Sequence, residues 1–282
     1  MAINWFPGHM NKARKEIAKA MPKVSLIFEV LDARIPFSGE NPLVADLRGN
    51  KPCIKLLNKV DLADPKVTDA WMAHYNGLDG VHALPMQATV PKMVRQLPAL
   101  GKRLLPADRA KDRDVLVMIV GIPNVGKSTI INTLKGRGVA KTGNVPAVTR
   151  QQQRVAIDHK LYLLDTPGFL WPRLSPAACG YRLAATGSIR DGILDFEQLG
   201  VFLAEELATR YPRELMARYK LPSMPEGGEA IIHAIGTKRG CIQKGGVVDL
   251  YKASEILIME FRQGKIGRLS LEHPPSNSRS TS

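Results

Sequence analysis

The octapeptide Gly121-Ile-Pro-Asn-Val-Gly-Lys-Ser128 places two glycines, a lysine and a hydroxyl at a spacing suited to gripping phosphate. Gly121 and Gly126 allow close backbone approach that a side chain obstructs, which turns successive N–H groups toward phosphate oxygens at a helix N-terminus. Around that cradle, Lys127 is placed to reach β- and γ-phosphates and the Ser128 hydroxyl to ligate Mg²⁺, with Asn124, Val125, Gly126 and Thr129 completing the loop. A second group, Asn58-Lys59-Val60-Asp61, carries the groups that read a guanine. The Asp61 carboxylate can accept from N1–H and the exocyclic amine, Asn58 can bond the O6/N7 edge, and the Lys59 stem can cover the base. Adenine lacks that amine and has an acceptor at N1, so it leaves the carboxylate unpaired, a class of mismatch that discriminates ~10⁴-fold. A third group is Asp165-Thr-Pro-Gly168, in which Asp165 can hold a Mg²⁺-bound water and the Gly168 N–H can sense a γ-phosphate. Between Gly138 and Gln153 lies a polar stretch without periodicity, where Thr149 is the candidate switch hydroxyl for Mg²⁺ and Thr142 its competitor.

These groups work together only if the chain delivers them to one place. The apolar runs Asp114 to Val120, Cys53 to Leu57 and Leu161 to Leu164 each precede one of them and read as buried strands, as does Val24 to Leu31. Ser128 to Lys135 continues as a helix, giving the strand, glycine loop and helix that a phosphate loop requires. The expected class is α/β, with the pocket at the carboxyl ends of parallel strands. Asn58-Lys-x-Asp61 precedes the phosphate loop, the reverse of the order in ordinary guanine-nucleotide switch proteins. A pocket depends on spatial arrangement, so termini can be moved without destroying it.

With that motif order, the chain resembles the circularly permuted GTPases. Its Trp5-Phe-Pro-Gly-His-Met10, Asp32-Ala-Arg-Ile-Pro36 and Asp165-Thr-Pro-Gly-Phe-Leu-Trp-Pro172 segments are similar to those of the ribosome biogenesis GTPase A family, which assembles the bacterial large subunit. The resemblance implies a circularly permuted Ras-like phosphate-loop domain over residues 1–172 with an N-terminal arm, a smaller all-α domain over 173–272 that binds RNA or the ribosome, and a disordered tail over 273–282. It makes Gln87 and Ala88 the loop that backs the guanine, although Gln87-Ala-Thr89 stands where the family has Ser-Ala-Lys. It favours Thr149 over Thr142, although Pro146-Ala-Val-Thr149 replaces the usual Pro-Gly-x-Thr. Asn124 then either supports a K⁺ ion near the β- and γ-phosphates or makes a hydrogen bond that steadies its loop. Phe169 occupies the position where many GTPases place a water-orienting glutamine, and the resemblance points to His9 for that role, with packing or capping as the alternative. The expected partners are GTP and GDP, the large ribosomal subunit and rRNA, with Mg²⁺ as cofactor. A small-subunit role and a GTP-sensing placeholder with negligible hydrolysis are the competing functions.

Composition fits such a partner. The 282 residues carry 40 Lys+Arg against 26 Asp+Glu, a formal net charge of +14, and most of the excess falls in the first 172 residues. An excess of this size favours a polyanion, bound with salt-sensitive affinity. Cys53, Cys179 and Cys241 lie far apart and form no C-x-x-C pair, arguing against a zinc module or disulfide framework and for a reducing cytosol. No apolar run approaches the ~20 residues of a membrane span. A cytoplasmic monomer is expected. Leu199, Phe202, Leu203, Leu207 and Tyr211 follow helical spacing, as do Val247, Tyr251, Ser254, Ile258 and Phe261. The sequence also predicts a helix from about Lys92 to Leu104 and a basic one after Asn11.

Overall fold

The computed structural model describes residues 15–106, 114–136, 153–166, 168, 176–189 and 195–275. Every residue of β1 (Leu26–Asp32) and β2 (Cys53–Asn58) is buried, and β4 (Val115–Gly121) is buried at all but one position. Largely apolar runs of this kind, broken mid-strand in β1 and β2 by Glu29 and Lys55, which pair at 2.6 Å, suit strands covered on both faces, where each buried Leu, Ile or Val side chain contributes about 1.5–3 kcal/mol. The edge strand β3 (Val81–Met86) mixes buried and exposed positions instead. With β5 (Gln153–Asp158) and β6 (Leu161–Asp165), these form one sheet in the order β3-β2-β1-β4-β6-β5. All neighbours are parallel except β5, which runs antiparallel to β6 at the other edge. Register places Asp32 beside Asn58 and Ile119 beside Asp165. The parallel strands therefore end on one rim, and the strand of the guanine-reading group precedes the phosphate-loop strand in the chain while lying in the same sheet.

Helices cover both faces. A helix α1 over residues 15–20 buries Ile17, and Met21 is buried in the 3₁₀ turn that follows, so the basic helix expected after Asn11 is present where the chain is described. Short helices α2 (Pro36–Gly39) and α3 (Pro42–Arg48) follow β1. In α4 (Pro65–Asn76), Asp64 caps the N-terminus by accepting from Lys66 and Val67, and Trp71 and Tyr75 stack with centroids 5.3 Å apart in a second core beneath Leu31 and Leu57. The segment predicted as one helix from Lys92 is two, α5 (Pro91–Arg95) and α6 (Leu97–Arg103). Pro98 explains the break, since it has no N–H to continue the ladder and its ring clashes with the preceding turn. The phosphate-loop helix is α7 (Lys127–Lys135).

The later part is helical: α8 (Ala178–Ala185), α9 (Phe196–Arg210), α10 (Pro212–Tyr219), α11 (Gly228–Arg239) and α12 (Leu250–Arg262). Leu199, Leu203, Leu207 and Tyr211 form the expected buried stripe of α9, and Phe202 stacks on Tyr181 at 4.9 Å. In α12 the stripe is shorter than predicted. Ser254, Ile258 and Phe261 are buried, but Val247 and Tyr251 are 64% and 51% exposed. Asp249 caps the helix, so Val247 precedes it and cannot share its periodic face. After α12 the chain returns to the α/β sheet: Leu269 N–H donates to the Leu62 carbonyl at 2.9 Å and Leu271 N–H to that of Arg34 at 2.8 Å. Residues 264–272, grouped by sequence with the helical part, thus pack against the sheet domain. No helix among the described residues is long and apolar enough to cross a membrane.

Candidate functional site

The phosphate loop leaves β4 at Gly121 and enters α7 through Gly126, whose φ of +110° is a left-handed conformation open to glycine. A Cβ there would collide with the Asn58 amide, so the glycine also admits a close crossing of two loops. Lys127 is buried, and its Nζ donates to the Gly121 and Ile122 carbonyls, each at 2.9 Å. Burial pushes its ammonium down to about 8, and only the Asp165 carboxylate opposes that. Ser128 and Thr129 are half-buried in the first turn of α7.

Asn58 sits between the loops. Its Nδ2 donates to the Val125 carbonyl at 2.6 Å, and its Oδ1 accepts from the Ala88 N–H at 2.9 Å. The sequence aimed this amide at a base edge, but both ends are engaged in tying the phosphate loop and the Gln87-Ala88 loop to β2. Asn58→Ala would leave two buried backbone groups unpaired at about 1–3 kcal/mol each. The variant is therefore expected to lose ~2–4 kcal/mol of stability and to bind nucleotide at least tenfold more weakly, measurable by urea unfolding and nucleotide titration. Wild-type values in both would show that the bridge does not hold the loops.

Next in the chain, Lys59 adopts φ +64°, unusual for a residue with a side chain, and its Nζ lies 2.9 Å from Asp32 Oδ2. Asp32 is fully buried and gripped by Arg34, whose Nε and Nη2 donate at 2.9 and 2.7 Å. Burial opposes that charge, yet the Arg34 and Lys59 cations hold the Asp32 carboxyl well below the usual carboxylate range. Asp61 is exposed at the tip of the loop, Gln87 is half-buried and Ala88 buried. Asp32 and Arg34 carried no assigned role in the sequence reading. The available signal was an acid at the carboxyl end of a buried strand in register with Asn58.

Asp165 ends β6 with 2% exposure, and its Oδ1 has no hydrogen-bond partner among the described residues. Burial pushes the carboxyl up to about 6 against the pull of Lys127. A buried acceptor left open beside a phosphate loop fits a hydrated divalent cation, which supplies the missing donor through its water. Gly168 lies against the same loop: a Cβ would stand 2.8 Å from Pro123 Cα and 2.9 Å from Lys127 Nζ. Asn124 Nδ2 donates to the Gly187 carbonyl at 2.8 Å, which supports the loop-steadying role for this side chain and joins the phosphate loop to the turn after α8. His9, Thr142, Thr149 and Phe169 lie outside the described residues. No cluster of three or more His, Cys, Asp or Glu suited to a metal occurs among the described residues, and all three cysteines are free and buried.

The structure therefore brings Asn58, Lys59, Ala88, Val125, Lys127, Asp165 and Gly168 to one rim of the sheet. A family model described as "50S ribosome-binding GTPase" matches residues 116–196. Ribosome biogenesis GTPase A of Priestia megaterium is 43% identical over 97% of this chain and 98% of its own length. The protein of the same name from Thermotoga maritima is 33% identical over 96% of this chain and 95% of its own. Among solved structures, GNP-bound YlqF from T. maritima superposes with a TM-score of 0.69 at 30% identity, covering 94% of this chain and 99% of that one. Identity at this level along nearly the whole length, over a rim built for a nucleotide, makes this chain a GTPase of ribosome assembly belonging to the ribosome biogenesis GTPase A family.

Proposed function

We propose that this GTPase docks on the maturing large ribosomal subunit in its GTP state and leaves after hydrolysis. The observation that carries the reading is the convergence of Lys127, the open Asp165 carboxylate and Gly168 at the phosphate loop, whose strand β4 is separated from that of the Asn58–Asp61 loop, β2, by β1 alone. Ser128, Thr149 and Asp165 would hold Mg²⁺, Asp165 through water, and the ion supplies positive charge at the β- and γ-phosphates. Lys127 holds the same phosphates directly. Asn58 keeps the loops in place, Lys59 covers the guanine, Asp61 reads its N1–H and amine, and Gln87 and Ala88 back it. Gly168 N–H reports the γ-phosphate, and its segment leads within a few residues into the helical part, so phosphate loss reorients that part. The net charge of +14 supports an rRNA contact, and the family description names 50S binding.

His9 orients the hydrolytic water in this reading, because Phe169 offers no polar group after Gly168. GTP turnover is expected to rise when large subunits are added and to stay low with small subunits. His9→Ala should lower the stimulated kcat by ~10²-fold or more while GTP affinity and analogue-dependent subunit association stay normal. Turnover that ignores subunits while GTP-dependent association persists would make the protein a GTP-sensing placeholder. Co-sedimentation with small subunits alone would move it to the other assembly line.

A further inference from the structure

The loop that reads the base is gripped by the far end of the chain. Arg268 donates from Nη2 to the Val60 carbonyl at 2.8 Å and from Nε to that of Ala63 at 3.1 Å, bracketing Asp61 on both sides. Leu269 N–H reaches the Leu62 carbonyl at 2.9 Å, and the buried Ser270 hydroxyl accepts from Asp64 N–H at 3.1 Å. The grip is set by α10's neighbour Tyr211, whose hydroxyl accepts from Ser270 N–H at 3.1 Å and donates to Asp64 Oδ2 at 3.2 Å. The Val60, Leu62 and Ala63 carbonyls and the Asp64 N–H are thus tied to a segment more than 200 positions away in sequence.

Such restraint has a physical reason. Lys59 is held at φ +64°, and a non-glycine residue in that region persists only where its surroundings over-determine it. From one side Asp32 holds its ammonium; from the other the returning segment fixes the backbone that follows. Asp61 itself is exposed, so nothing buried within its own loop positions its carboxylate.

We propose that the strap of residues 264–272, acting through Arg268, positions the Asn58–Asp61 loop for guanine, so that base selectivity depends on the segment that closes the helical part onto the sheet. The proposal deepens the nucleotide-site reading and rests on Asp61 being the base-reading acid. Arg268 is a positioning residue: it touches backbone carbonyls and not the nucleotide. Its connection to α12 also gives the helical part a route to base affinity, since the strap continues directly from that helix. Arg34, beside Lys59's partner Asp32, lies 5.2 Å from the Phe261 ring of the same helix and adds a second link.

The test uses the full chain and titrates GDP and inosine diphosphate, which lacks the exocyclic amine that Asp61 reads. Arg268→Ala removes a surface side chain and leaves the buried strap intact, so its melting temperature should hardly change. If the Asp61 carboxylate is well placed in only a tenth of the molecules, GDP makes its amine contact only there and its affinity falls by up to about tenfold, whereas inosine diphosphate, which has no such contact to lose, falls less. The preference for GDP over inosine diphosphate should shrink with it, because an ill-placed carboxylate loses the amine contact, and Arg268→Lys should restore part of both. Unchanged GDP affinity, or equal losses for the two nucleotides, would overturn the proposal. Asp61→Asn, run in parallel with xanthosine diphosphate, separates the two layers: a normal switch of base preference with an indifferent Arg268→Ala defeats the strap alone. No switch defeats the base-reading assignment and the strap's role with it.

Discussion

Lys127→Ala is expected to abolish tight binding of GTP and GDP while leaving the protein folded. The ammonium is buried and, among the described residues, donates to the Gly121 and Ile122 carbonyls, with burial pushing its pKa down to about 8. A charge held under such stress contributes little to the stability of the fold, and replacing it by an apolar group is often neutral. Toward a nucleotide the balance reverses, because β- and γ-phosphate oxygens turn a desolvated cation into charge-assisted hydrogen bonds in a water-poor site. Losing one partner of such a pair costs about 2–5 kcal/mol, or roughly 30- to several-thousand-fold in affinity. Isothermal titration with GDP and thermal unfolding of the ligand-free protein check the two halves. Affinity within a few-fold of wild type would remove Lys127 from the phosphate site. Lys127→Met, which keeps the stem, should behave like the alanine variant if the charge and not the packing is what matters.

The second large effect concerns the base. Asp61→Asn should invert selectivity from guanine to xanthine, because the amide can donate to the carbonyl that xanthine carries in place of the exocyclic amine. The carboxylate discriminates by accepting two hydrogen bonds, and a mismatched polar group in such a site rejects its ligand by ~10⁴-fold. The swing in the ratio of GDP to xanthosine diphosphate affinities should approach that scale. Asp61 is exposed, so the exchange should leave stability within about 0.5 kcal/mol of wild type. Competition between the two nucleotides reads the ratio directly. A preserved guanine preference would show that the Asn58–Asp61 loop does not face the base.

Much of the site was legible because phosphate and guanine chemistry are written locally. Gly121, Gly126, Lys127 and Ser128 lie within eight positions, and the buried strands before the loops announce themselves as mainly apolar runs. The reversed order of the loops was likewise visible in the chain, whereas the strand order came only from the structure. Local pattern misled where a single residue overrode periodicity: Pro98 split one predicted helix, and the Asp249 cap excluded Val247 from another.

Sequence by itself determined the chemistry of the loops, since residue type and short spacing decide which donors and acceptors a loop can offer. Only the tertiary structure decided what holds those loops still. Asn58 proved to be a bridge between loops, Asp32 and Arg34 an anchor for Lys59, and Arg268 a clamp across more than 200 residues. Contacts of that kind join groups whose separation along the chain carries no periodic signal, and whether an amide turns toward a ligand or a neighbouring backbone depends on the angle at which two packed segments cross. The same physics explains the strap, whose residues gain their partners only after the helical part has folded and returned the chain to the sheet.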